Sequence, residues 1–169
     1  MYNLLKKCIA PLAPSCREQE MTDFVLSEVQ PICDDCFITP LGNVIAVKYG
    51  CGEHKKKLMY CAHMDEVGFI VSYIDDNGYI RFFNTGGPNM ISAAYQEVRF
   101  ANGTHGVLIP NAGCDNSANC SNTVLDIGAR SKKEAQRKVK IGDTFATLSH
   151  VTKLTSSVVT GRPLDNRIG

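Results

Sequence analysis

No stretch of this chain approaches the ~20 apolar residues of a membrane-spanning helix. The first residues, Met1-Tyr2-Asn3-Leu4-Leu5-Lys6-Lys7, place lysines where a secretory leader needs its apolar segment. The chain also lacks an excess of either charge: 18 Lys and Arg stand against 17 Asp and Glu, a net +1. Such a balance creates no long-range field toward nucleic acid or an anionic membrane, so neither is expected as a partner. These absences read as a cytoplasmic protein, and 169 residues suffice to bury a real core. Cysteine, by contrast, is plentiful at eight residues. Without a secretory leader, disulfides are not expected. Cys33-Asp34-Asp35-Cys36 has zinc-knuckle spacing, but the next close pair, Cys114 and Cys120, lies in a Ser/Asn-rich loop with wider spacing. The thiols, Cys8, Cys16, Cys51 and Cys61 among them, therefore read as free small hydrophobes.

Punctuation and apolar period divide the chain. Leu4, Leu5, Cys8 and Leu12 predict a short helix curtailed by Pro11 and Pro14. Ser15-Cys16-Arg17-Glu18 reads as a capping box for a second helix, with Met21, Phe24, Val25 and Val29 on one face up to Pro31. Strands are expected at Ile32 to Ile38 and Val44 to Tyr49, joined around Leu41-Gly42-Asn43, and a further apolar strand is expected to end at His63. After Asp65, short apolar runs are broken by glycine and asparagine at roughly ten-residue intervals, the texture of a small β-barrel or sandwich. Asp76-Asn77-Gly78 signals a hairpin between Phe69–Ile74 and Tyr79–Phe83. Further strands are expected at Tyr95 to Phe100, Gly106 to Ile109, Thr123 to Asp126, Thr144 to Leu148 and Ser157 to Val159. Ser131-Lys132-Lys133-Glu134 is expected to open the only helix of that region.

The chemistry is concentrated at His63 and Asp65. Residues i and i+2 of an extended chain point the same way, and a carboxylate on one imidazole nitrogen prepares the other to bind a metal. Strand ends in open α/β sheets are where ligands gather. Taken alone, His-x-Asp is also what a surface turn would present. Glu66 could be a ligand, but adjacent strand residues point to opposite faces, so it is read as structural or salt-bridging. His54, His105 and His150 are not expected to be ligands, the lysines at 55–57 and 132–140 are read as solvated, and Gly86-Gly87-Pro88 lacks the helix of a phosphate loop.

The run from Cys61 through Ala62-His63-Met64-Asp65-Glu66-Val67-Gly68 to Val71 resembles the signature of the dinuclear metalloaminopeptidases. That family includes the tetrahedral, deblocking and glutamyl aminopeptidases and proteins once called endoglucanase or cellulase M. Matches continue in order at Leu41-Gly42-Asn43, Asp76-Asn77-Gly78, Thr85-Gly86-Gly87, Leu125-Asp126-Ile127-Gly128-Ala129, Ile141-Gly142-Asp143 and Gly161-Arg162-Pro163-Leu164-Asp165-Asn166-Arg167. Two positions depart from the family pattern: Thr39 stands where an acidic residue is usual, and Asn166 where aspartate is common. Members run to about twice this length, so the chain looks like an amino-terminal half.

The resemblance implies an α/β catalytic-domain fragment, a mixed sheet with helices, interrupted by a small β-barrel-like (PDZ-like) insert. Residues 1–66 would begin the catalytic domain, 67–158 form the insert that mediates homo-oligomer contacts, and 159–169 return to the catalytic domain. It implies that His63 and Asp165 are metal ligands, Asp165 bridging two divalent ions, and that Asp65 belongs to the catalytic set by orienting His63. Zinc, cobalt or manganese suits such a donor set, zinc and cobalt first. The implied reaction is removal of amino-terminal residues from short peptides by metal-activated water, with a glutamate protonating the departing amine. That glutamate and the remaining ligands lie beyond the positions matched, so the chain is expected to be inactive alone. The alternative is an inactive fragment or pseudoenzyme whose β-rich region acts as an assembly module. A cellulase would need paired carboxylates about a sugar cleft, which nothing here singles out.

Overall fold

The structure, a computed structural model, describes residues 1–52, 56–110, 123–165 and 167–169. No helix among the described residues is long and apolar enough to cross a membrane. The fold is mixed α/β and divides into two compact units. The first comprises Met1–Ala13, Arg17–Asp65 and His150–Gly169, and the second Pro14–Cys16 and Glu66–Ser149.

In the first unit, α1 (Tyr2–Ile9) and α2 (Gln19–Val29) are followed by a 3-10 turn at Gln30–Ile32. Its buried apolar residues include Ile9, Leu12, Ala13 and Met21. Strands β1 (Asp35–Ile38) and β2 (Val44–Val47) form an antiparallel hairpin with Phe37 opposite Ile45. At its turn the Thr39 hydroxyl accepts from Asn43 N at 3.1 Å.

Two expectations fail in this unit. The second helix begins at Gln19 behind Glu18, which makes no side-chain cap. Ser15 instead donates its backbone N–H to the Glu66 carbonyl, and Cys16 sits at φ +73°, so the supposed cap is consumed by a long-range tie inside the second unit. The apolar strand expected to end at His63 does not form. Residues 56–65 join no ladder among the described residues, and Leu58, Met59 and Tyr60 are 80%, 86% and 92% exposed. An apolar run becomes a strand only when an edge accepts its backbone, and none of the described residues does so. The chain returns through β9 (His150–Lys153), which was not anticipated, and β10 (Val159–Arg162), paired antiparallel.

The second unit is a closed antiparallel barrel. Its strands are β3 (Gly68–Ile74), β4 (Ile80–Thr85), β5 (Glu97–Phe100), β6 (His105–Pro110), β7 (Thr123–Asp126) and β8 (Thr144–Thr147). They run in the order β3-β4-β7-β6-β5-β8, which bears out the barrel-like reading of this region. Closure leaves no edge strand. The β3–β4 turn is stapled by Asp75, whose carboxylate accepts from Asn77 N at 3.0 Å and Tyr79 N at 2.9 Å, while Gly78 takes φ +93°. A register shift between Val71 and Tyr73 turns Ile74, rather than Tyr73, into the core. Phe145 lies at the centre of that core, with ring centroids 5.1 Å from Phe69, 5.5 Å from Phe82 and 4.8 Å from Phe100.

Helix α4 (Lys132–Lys138) carries the expected cap, with Glu134 N donating to Ser131 Oγ at 3.3 Å. It is not the region's only helix. A single turn, α3 (Met90–Ala93), is capped by the Asn89 side chain and buries Met90 and Ala93. The six described cysteines form no disulfide, as expected, but Cys16, Cys51 and Cys61 are exposed and do not act as buried small hydrophobes. Cys8, Cys33 and Cys36 are half-buried, while Cys114 and Cys120 lie outside the described residues.

Candidate metal centre

The first unit brings His63, Asp65 and Asp165 together although 102 residues separate His63 from Asp165. His63 Nδ1 lies 3.0 Å from Asp65 Oδ1 and 3.1 Å from the Asp65 carbonyl. Its Nε2 lies 2.9 Å from Asp165 Oδ1. The i, i+2 geometry therefore arises in irregular backbone, without the strand that was expected to create it.

Both ring nitrogens can donate at once only in the protonated imidazole. The Asp165 hydrogen bond is the largest cause that pushes the His63 pKa above its ordinary value; desolvation opposes it, and the contacts with Asp65 add to the rise. All three side chains are open to solvent. The contact with Asp65 is the one a metal-binding histidine uses on its far nitrogen. The contact with Asp165 joins two groups of the right donor chemistry for a divalent ion, through a proton.

The turn that carries Asp165 is closed by hydrogen bonds from Arg167 N to Leu164 O at 2.8 Å and from Ile168 N to Leu164 O at 3.2 Å. Arg167 is buried, and its guanidinium donates to the carbonyl of Met64, the residue between His63 and Asp65. Sequence reading missed Arg167, whose only signal was a place in the Asp165 motif.

Other candidates sit elsewhere. Glu66 is buried in the second unit, where its carbonyl accepts from Ser15. His105 pairs with Glu97 at 2.7 Å across β5 and β6. His150 begins β9 and is exposed. His54 and Asn166 lie outside the described residues.

The pattern of the M42 glutamyl aminopeptidases matches residues 42–169. The chain belongs to that family. Over its whole length the chain is similar to an aminopeptidase-like protein of Acetivibrio thermocellus, 38% identical over 171 residues, covering 100% of this chain and 51% of the relative. The fold resembles an aminopeptidase from the archaeon Desulfurococcus kamchatkensis, with a TM-score of 0.90 and 30% identity over 99% of this chain and 48% of that one. It also resembles the Pyrococcus horikoshii TET1 peptidase, at a TM-score of 0.83 and 29% identity over 98% of this chain and 52% of that one. The chain thus spans about half the length of the relatives it matches.

The donor set is incomplete for a catalytic transition-metal centre. A catalytic transition-metal ion takes about three protein ligands and keeps one position open. Among the described residues no group of three or more His, Cys, Asp and Glu side chains is arranged to hold an ion. The present 2.9 Å between Nε2 and Oδ1 also suits a shared proton better than a shared ion, whose two ligand atoms stand roughly 3.3 Å apart in tetrahedral geometry. These residues do not by themselves form the centre.

Proposed function

We propose that this chain is the amino-terminal part of a metal-dependent aminopeptidase that removes amino-terminal residues from short peptides, and that it is inactive alone. The observation that carries this reading is the meeting of His63 with both Asp65 and Asp165. In it, His63 and Asp165 are ligands of divalent ions, zinc or cobalt first, and Asp65 fixes the ring through Nδ1. The ions, when bound with their remaining ligands, supply water activation. Asp65 would keep the proton on Nδ1 and leave Nε2 free to act as a donor atom. Residues near 67–158, the barrel included, form an insert of PDZ-like kind in the same reading.

The P. horikoshii TET1 peptidase can assemble into a tetrahedron or a large octahedral shell. By that analogy, the complete protein is proposed to form homo-oligomers through the barrel unit.

The test is to read the coding frame past Gly169 and to express its full product beside the 169-residue chain. The expected frame continues and supplies a pair of glutamates, a further acidic ligand and a late histidine. Its product should then release amino-terminal residues from short peptides, stop when chelated, and lose about 100-fold or more on His63→Ala. The short chain should release none. A stop codon directly after Gly169, or chelator-resistant turnover, would overturn the reading.

A further inference from the structure

We propose that Arg167 is the positioning residue of this site, the group that holds His63 and Asp165 in register with each other. The inference rests on the reading that these two side chains act as a pair. The segment 63–65 joins no ladder among the described residues, so regular secondary structure does not fix its height or rotation. Arg167 supplies a backbone tie in its place. Arg167 is 7% exposed, and one terminal guanidinium nitrogen donates to the Met64 carbonyl while the other donates to Pro11 O at 3.4 Å.

Met64 is flanked by the two side chains that meet, and its carbonyl belongs to the peptide unit that leads into Asp65, so holding it restrains the short segment on which both His63 and Asp65 are mounted. Arg167 is also anchored at the other end, because its own N–H closes the turn carrying Asp165. One side chain thereby links two segments about a hundred residues apart, and the Pro11 contact adds the stretch that follows α1. A planar guanidinium presents several donors in fixed directions, so it can serve two carbonyls on different segments at once. A lysine ammonium lacks that fork. Hydrogen bonds from a charged donor are about twice as strong as neutral ones, and a buried charge is costly to leave with fewer acceptors. The tie is therefore firm enough to order an otherwise irregular segment.

The test uses the metal-free chain, labelled with nitrogen-15, and reads the ring nitrogen shifts of His63 by NMR. Asp165→Asn should shift the Nε2 resonance when Arg167 is present, because the 2.9 Å partner loses its charge. In an Arg167→Met background the same Asp165→Asn change should leave Nε2 unmoved, since the pair has already separated. Arg167→Lys, which keeps the charge but offers one ammonium for two carbonyls, should lose part of the response. An Arg167 with only a structural role would lower the melting temperature and leave the response whole. A full response in Arg167→Met, or in Arg167→Lys should the methionine variant fail to fold, overturns the proposal. Because the readout needs neither metal nor turnover, its failure leaves the peptidase reading intact, and failure of the peptidase assay leaves this measurement valid.

Discussion

His63 shows how much of the site's behaviour sits in single contacts. Its pKa is raised first by the hydrogen bond to Asp165 and further by Asp65. A group whose folded value exceeds its unfolded one stabilises the fold fully below the unfolded pKa, and that contribution is lost as pH rises through the folded pKa. The window therefore opens at the ordinary histidine value and extends upward. All three groups are open to solvent, so the effect on global stability is small and screened by salt. The titration itself is the sensitive observable. Asp165→Asn is expected to lower the His63 pKa toward its ordinary value, and Asp65→Asn to lower it less, as followed by the ring Cε1–H resonance with chelator present. An unchanged curve for Asp165→Asn would remove Asp165 from the site. Proton and cation also compete for Nε2, so any divalent ion held there should bind more weakly as pH falls.

Elements differ in how locally they are specified, and this decides which were legible in the sequence. The Asp75–Tyr79 turn and the Ser131 cap are closed by residues within four positions of each other, and both were visible. Ser15 carries the same cap signature as Ser131, yet its backbone is bound to Glu66, a partner that no local pattern discloses. The Leu58-Met59-Tyr60 run has the composition of a strand but no ladder among the described residues, and α3 is too short to show a period. His63 and Asp65 could be named from spacing, whereas Asp165 came only from family resemblance, because no periodicity relates residues so far apart. Two variants test the local and the non-local parts. Ser131→Ala should cost about 1 kcal/mol through loss of the α4 cap. Phe145→Ala should cost about 3–5 kcal/mol, since it empties the point at which three other phenylalanine rings meet. Urea titration monitored on barrel amides measures both, and equal losses would refute this division between cap and core.

The two units bury their apolar surface very unequally, and this governs the solution behaviour of the whole chain. The barrel closes its ladder and encloses a core that includes Phe69, Phe82, Phe100, Leu108, Leu125 and Phe145. The first unit buries few apolar side chains, while Phe37, Leu41, Tyr49, Leu58, Met59 and Tyr60 are exposed. Exposed apolar surface of this extent is uncommon in a soluble monomer, and an unpaired apolar run is a template for association. The 169-residue chain is therefore expected to self-associate with rising concentration through the first unit. Leu58, Met59 and Tyr60 are the economical place to intervene, because their side chains are almost fully solvated and their replacement leaves the packing of the barrel untouched. A triple variant, Leu58→Ser with Met59→Ser and Tyr60→Ser, should shift the sedimentation profile toward monomer while the amide spectrum of the barrel stays the same. If association persists undiminished, the contact surface lies elsewhere, and the exposed faces of β1 and β2 become the next to alter. If the barrel spectrum changes as well, the two units are coupled more tightly than their separate cores imply.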